Sequence, residues 1–170
     1  MPPAREGESR MAIKVGDKLP DVTLKVVTEA GAKDVSTNDF FKGKKVVLFG
    51  LPGAFTPTCS AQHLPGYVKN AEELKKKGVD EIACLSVNDF FVMEAWGKAQ
   101  GALGKVAMVA DGNGELTRQL GLTLDAGKFG MGTRSQRYAA VIDNGIVKEL
   151  QIEAPSKFEV SSAEAILKKL

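Results

Sequence analysis

Cys59 stands in the segment Leu51-Pro52-Gly53-Ala54-Phe55-Thr56-Pro57-Thr58-Cys59-Ser60, between an apolar run and a stretch of helical pattern. Thr56 is a helix-capping residue type, because its hydroxyl can accept a backbone N–H. Pro57 suits the first helical position, where its fixed φ fits and its missing N–H costs nothing. Cys59 then falls in the first turn, where unpaired N–H groups and the positive end of the helix dipole gather. Such surroundings stabilise a thiolate. Thr56 and Cys59 are three residues apart and can share one side of that turn. The plainer alternative is a structural cysteine buried at a helix start.

A thiolate supports several chemistries, and the neighbouring residues separate them. A cysteine hydrolase needs a histidine base. The single histidine, His63, lies four residues further along the same helix, whereas such a base is normally carried by another element. His63 therefore reads as a packed, hydrogen-bonded helix residue. A dithiol oxidoreductase needs Cys-x-x-Cys, and here that slot holds Thr56-Pro57-Thr58-Cys59, so local disulfide closure is impossible. What remains is one activated thiolate beside a hydroxyl, a site suited to attack on a peroxide O–O bond, giving a sulfenic acid. The other cysteine, Cys84, lies mid-strand in Ile82-Ala83-Cys84-Leu85. It reads as core, or as a resolving cysteine if its Cα can come within about 4.4–6.8 Å of that of Cys59. Cys59, Cys84 and His63 lack the spacing of a zinc site, and neither a metal nor another cofactor is expected.

These residues need a scaffold, and the chain has the size for one. Its 170 residues suit a single domain. A net charge of +2, with 44% hydrophobic and 26% charged residues, gives no electrostatic case for nucleic acid. The longest apolar stretch, Val46 to Phe55, is broken by Gly50, Pro52 and Gly53, so no membrane span is expected. Two cysteines and no signal-peptide pattern favour a reducing compartment, taken as the cytoplasm. Residues 1–11 read as a disordered tail and 12–170 as one domain.

The apolar pattern predicts strands over 22–27, 46–49, 81–87, 106–110, 138–142 and 146–152. Helices are predicted over 57–77, 90–99 and 115–120. Asn144-Gly145 marks a tight hairpin. Ser161, with Glu164 three residues on, forms a capping-box pattern that opens a last helix with Ala165, Ile166, Leu167 and Leu170 facing inward. The order β-α-β, α-β, β-β-α predicts an α/β, thioredoxin-like fold: a central mixed sheet flanked by helices, with an N-terminal strand extension.

Pro52-Gly53-Ala54-Phe55-Thr56-Pro57-Thr58-Cys59 resembles the P-x-x-x-T-x-x-C motif of peroxiredoxins. Its wording, followed by His63-Leu64-Pro65-Gly66-Tyr67, resembles the type II branch, the peroxiredoxin-5 subfamily. Ser86-Val87-Asn88-Asp89, Glu94-Ala95-Trp96-Gly97, Ala110-Asp111-Gly112 and Arg134-Ser135-Gln136-Arg137-Tyr138 extend the resemblance from about Val15 to the C-terminus. It implies reduction of hydrogen peroxide and alkyl hydroperoxides. Cys59 would be the peroxidatic nucleophile, and Thr56 would bond the thiolate and peroxide. Pro52 would shield the sulfur, and the N–H groups of Thr58 and Cys59 would hold the peroxide oxygens. The family's arginine matches Arg137, with Arg134 and His63 as supporting residues. On one regular strand, the odd spacing of Arg134 and Arg137 would put them on opposite faces.

Some members of this branch carry a resolving cysteine where this chain has Ser161. The expected cycle therefore uses Cys59 alone, recycled by glutathione with glutaredoxin or by thioredoxin. The resemblance also suggests a homodimer packed near the site through residues such as Phe55 or Phe90. Two readings compete with a peroxidase: a redox relay that passes its disulfide to a partner protein, and a non-enzymatic interaction module with an inert Cys59.

Overall fold

The computed structural model describes residues 12–170, so the tail expected over 1–11 lies outside the described residues. A seven-stranded sheet is ordered β2-β1-β5-β4-β3-β8-β9. Its middle consists of β3 (Lys45–Gly50), β4 (Glu81–Ser86) and β5 (Ala107–Ala110), which are mutually parallel. β1 (Thr23–Thr28) and β2 (Gly31–Ser36) extend one edge antiparallel. β8 (Tyr138–Asp143) and β9 (Ile146–Ile152) extend the other. This is the thioredoxin-like mixed sheet with its N-terminal extension.

Strands covered on both faces become continuous apolar runs, and β3 is one: Val46 to Gly50 are all buried. Period-two alternation divides them. Val47 and Phe49 join Cys84 and Met108 on one face, while Val46 and Leu48 join Ala83 and Leu85 on the other. The first face is covered by α2 (Leu64–Lys69), α3 (Ala71–Lys76), α4 (Phe90–Ala99) and α6 (Ala163–Leu167), through Leu64, Tyr67, Leu74, Trp96 and Ile166. The second is covered by α1 (Thr37–Phe41) and α5 (Glu115–Leu120), through Phe41, Leu116 and Leu120. Gly50 is glycine because a Cβ there would run into the ring of Tyr138. Among the described residues no helix is long and apolar enough to cross a membrane.

Local chemistry sets most of the boundaries. Asp89 caps α4 by accepting from Val92 N at 2.9 Å, and Gly121, at φ 71°, ends α5. Asn144 and Gly145 have φ of 50° and 81°, as a two-residue hairpin turn needs.

The structure departs from the sequence reading in several places, among them β2 and α1, which no expected element covers. The helix expected over 57–77 is not continuous. It widens into a π-helical turn at Cys59–His63, then breaks at Asn70 (φ −98°, ψ 12°) between α2 and α3. Asn70 Nδ2 donates to the Gly66 carbonyl at 2.8 Å, a side-chain bond of the kind that competes with the helix. The cap of α6 is Ser162, which accepts from Ala165 N, and not Ser161. Ile166 joins the core as expected, with Leu167 and Leu170 packed half-buried against it, but the second fully buried residue of α6 is Ala163, and Ala165 is half-buried. Lastly, β6 (Thr123–Asp125) and β7 (Thr133–Ser135) form a separate two-stranded sheet. At three residues each, they are too short to carry an alternation to read.

Candidate active site

Chain leaving the carboxyl end of β3 enters a tight turn over Gly53 to Thr56, closed by Thr56 N–H on the Gly53 carbonyl at 3.4 Å. Phe55 sits in this turn at φ 61°, a region that costs a bulky aromatic residue of order 1–3 kcal/mol. The surroundings hold the turn in place. Ala54 N donates to Asn88 Oδ1 at 3.0 Å, and Ser86 Oγ donates to the same oxygen. The Ser86-Val87-Asn88-Asp89 segment thus braces the loop. The helix begins at Pro57, and the Thr56 carbonyl accepts its first bond, from Ser60 N at 2.9 Å. Cys59 therefore occupies the first turn, as its spacing predicted.

The Thr56 side chain does something different from capping. Its hydroxyl donates to the Gly53 carbonyl at 2.6 Å. The turn brings that carbonyl beneath the hydroxyl and takes its only proton. What Thr56 still offers is its lone pairs, so toward a ligand it is an acceptor.

Cys59 is fully buried, and its sulfur faces a cation. Arg137, just before β8, places Nη2 3.2 Å from Cys59 Sγ. Its Nη1 lies 2.8 Å from His63 Nδ1. A guanidinium has no lone pair to offer, so His63 Nδ1 must accept. The ring proton is then on Nε2, which donates to the Ser161 carbonyl at 3.1 Å. Tyr67 Oη donates to the same carbonyl at 2.8 Å. Burial and the neighbouring Arg137 charge lower the His63 pKa to about 3, against a smaller opposing pull from the Ser161 carbonyl. His63 is neutral, and its lone pair is already engaged by Arg137. It is not a base for Cys59, which removes the geometry a cysteine hydrolase needs.

Aromatic rings enclose these groups. Phe49 stacks on Tyr67 at 4.0 Å and lies 4.9 Å from His63, and Phe158 lies 5.0 Å from His63. The Arg137 guanidinium sits 5.8 Å from the centre of Phe158. Trp96 Nε1 donates to Ser60 Oγ at 3.0 Å.

Arg134 and Arg137 are not on one strand: Arg134 belongs to β7, and Arg137 precedes β8. Arg134 Nε donates to the Met131 carbonyl at 2.9 Å and Nη1 to the Val87 carbonyl at 3.0 Å. It ties the β7 approach to the loop-bracing segment and does not reach the sulfur. Pro52 is half-buried at the start of the turn. Cys84 is fully buried in β4, in register with Phe49 on one side and Met108 on the other. Both thiols are free.

Tyr67, Phe158 and the Ser161 main chain carry little sequence signal. Tyr67 and Phe158 look like ordinary aromatic residues, and a carbonyl has no residue type. Tyr67 meets His63 as its neighbour four residues on along the same helical stretch, whereas the path of the 153–161 loop brings Phe158 and the Ser161 carbonyl there.

Comparisons with known proteins identify the family. The Redoxin family model matches residues 14–167. Peroxiredoxin-2C of Arabidopsis thaliana is 53% identical over 159 residues, covering 93% of this chain and 98% of its own. A peroxiredoxin of Rhizobium etli is 50% identical over 143 residues, covering 80% and 79%. Among solved structures, reduced Prx3 of Vibrio vulnificus in complex with H2O2 superposes with a TM-score of 0.88 at 55% identity, covering 92% of this chain and 98% of that one. The chain belongs to the redoxin family as a type II peroxiredoxin, a thiol-dependent peroxidase.

Proposed function

We propose that Cys59 is the peroxidatic nucleophile and that it reduces hydrogen peroxide and alkyl hydroperoxides. The observation that carries this reading is Arg137 Nη2 at 3.2 Å from a fully buried sulfur on a helix start. That nitrogen is a charged hydrogen-bond donor aimed directly at the sulfur. The thiolate attacks the terminal peroxide oxygen. An S–O bond forms as the O–O bond breaks; the attacked oxygen keeps its hydrogen, and the departing alkoxide or hydroxide takes up the one proton that the Cys59 thiol released on ionising, leaving as alcohol or water. Cys59 is left as a sulfenic acid.

Charge grows on the departing oxygen during this step. Arg137 and the unpaired N–H groups of Thr58 and Cys59 are the donors that meet it. Thr56 accepts the peroxide's own O–H, since its hydroxyl proton is engaged by Gly53. Pro52 and Phe158 limit water around the sulfur. Arg134 acts at one remove, by holding the turn.

Recycling uses an external thiol. One thiol condenses with the sulfenic acid and releases water, and a second displaces Cys59 from the mixed disulfide. Glutathione with glutaredoxin is the proposed reductant, with thioredoxin as its alternative. Cys84 is ill-suited to resolve Cys59, because strand pairing on both sides fixes it and burial pushes its thiol pKa well up. Ser161 has no thiol. Two free thiols fit the cytoplasm or another reducing compartment. A homodimer would cover exposed rings flanking the site. Phe55 is 56% exposed, whereas Phe90 is half-buried and its neighbour Phe91 is the one exposed, at 70%.

The test is a thiol count with intact mass after one equivalent of hydrogen peroxide, under denaturing quench. Gain of one oxygen at Cys59 with Cys84 still reduced is expected. An unreactive Cys59 would overturn the assignment. Loss of both thiols and two hydrogens in a monomer would replace the one-cysteine cycle by a Cys59–Cys84 disulfide.

A further inference from the structure

Glu153 is a mostly buried acid that none of the steps above uses. Four donors converge on its Oε2: Glu159 N at 2.8 Å, Val160 N at 2.9 Å, Ser161 N at 2.8 Å and Ser161 Oγ at 2.7 Å. Burial alone would raise its pKa, but the bonds from Ser161, Glu159 and Val160 outweigh that and hold the carboxyl below its usual range. The carboxylate is thus the hub of the 159–161 main chain.

The same residue touches the site from a second direction. Its backbone N–H donates to the Arg137 carbonyl at 2.9 Å. The contacts close into a ring. The Arg137 main chain is bonded to Glu153, the Glu153 carboxylate holds Ser161, and the Ser161 carbonyl accepts from His63 Nε2. His63 Nδ1 then accepts from the Arg137 side chain, whose other nitrogen meets Cys59. One residue anchors both the backbone of the arginine and the partner that orients its guanidinium. A loop clamp alone would not need the ring to close on the arginine it starts from.

We propose that Glu153 is a positioning residue: by fixing the Ser161 carbonyl it keeps the His63 proton on Nε2 and so aims Arg137 at Cys59. Without that fixed carbonyl the imidazole can move its proton to Nδ1. Nδ1 would then be a donor facing a donor, and the guanidinium would turn away. The inference depends on Cys59 being the peroxidatic residue, but its main readout does not.

The chain has a single histidine, so its imidazole nitrogens can be followed without ambiguity by 15N NMR. At pH 7 the wild-type protein is expected to show a protonated Nε2 and an unprotonated, hydrogen-bonded Nδ1. The opposite tautomer overturns the inference with no variant needed. Glu153→Ala is expected to populate the Nδ1–H form and to slow hydrogen peroxide reduction by about tenfold to a hundredfold, the range for displaced catalytic groups. Glu153→Gln keeps an amide oxygen for the same N–H groups, and is expected to restore the tautomer and most of the rate. Loss of stability in Glu153→Ala with the imidazole pattern and rate unchanged would reduce Glu153 to a loop clamp and overturn the proposal. So would a rate loss without a tautomer change. A wild-type protein inert to peroxide would instead overturn the Cys59 assignment, while the tautomer result would stand by itself.

Discussion

The two cysteines form a natural comparison. Both are fully buried, both are free, and both line the same apolar cluster. Their surroundings differ in kind. Cys84 sits in the middle of β4 between paired strands. Burial pushes its thiol up, Cys59 adds to that, and Arg137 offsets only part of it. Cys59 sits on a helix start with a guanidinium nitrogen 3.2 Å away. Burial by itself makes a cysteine a small apolar filler. On the proposed reading, it is the directed cation, held by the loop after β9 and the strand end before β8, that sets Cys59 apart as the nucleophile in the same core.

The largest expected effect breaks the comparison at its stronger half. Cys59→Ser should remove peroxidase activity by about a thousandfold or more, since the nucleophile itself is gone. Hydrogen peroxide consumption with a small thiol as reductant measures this. A Cys84→Ser protein that lost as much would erase the distinction. Next comes the cation. Arg137→Lys keeps a charge but gives up the planar fork that reaches both His63 and Cys59. A loss of about a hundredfold in the rate of Cys59 oxidation is expected, by analogy with removal of one preorganised donor. Wild-type rates in that variant would remove Arg137 from the reaction.

His63 supplies the next test, in stability and not in rate. In the folded protein it stays neutral until about pH 3, whereas an unfolded histidine takes up its proton near 6.5. Between these values the unfolded state binds more protons. The stability His63 contributes is thus complete above about pH 6.5 and is lost as pH falls, by at most about 1.4 kcal/mol per pH unit. Glu153 has the same sign in a lower window. Its carboxyl is held below the usual range, so its contribution is present above about pH 4.3 and is lost in stronger acid. Urea unfolding at pH 7 and pH 5 should show a sloping wild-type stability and a flatter one for His63→Gln. Equal slopes would mean that the imidazole is not buried neutral.

The parts of this site that were legible in the sequence share a property: each is announced by residue type at a fixed local offset. Cys59 in the first turn after Thr56-Pro57, α4 behind Asp89, α5 before Gly121 and the Asn144-Gly145 hairpin are all of this sort. Arg137 was reachable only through resemblance, because its 78-residue separation from Cys59 is closed by β3–β8 pairing. Where sequence reasoning failed, two local rules competed or tertiary contacts took a residue away. Ser161 fits a capping box, yet the Glu153 carboxylate claims its hydroxyl and Ser162 caps the helix instead. Thr56 fits an N-cap, yet the turn places a carbonyl under its hydroxyl. The strand β2 is largely exposed and carries no apolar alternation, and β6 is too short to show one. Glu153 looks like any surface glutamate until the loop folds over it.

The smallest expected effect sharpens the comparison at its weaker half. Cys84→Ala removes one buried sulfur between Phe49 and Met108 and adds no polar group. The deletion is smaller than a Leu→Ala change, so a cost of about 1 kcal/mol is expected, the sum of a lost transfer term and a small cavity. Urea unfolding reads this directly. Because Cys84 is held by strands on both sides, peroxide turnover with an external thiol should stay within about twofold of wild type. The outcome that would break the comparison is a protein that oxidises normally on the first turnover and then stalls at the sulfenic acid. That pattern would make Cys84 the resolving thiol, and β4 would have to release it in every cycle.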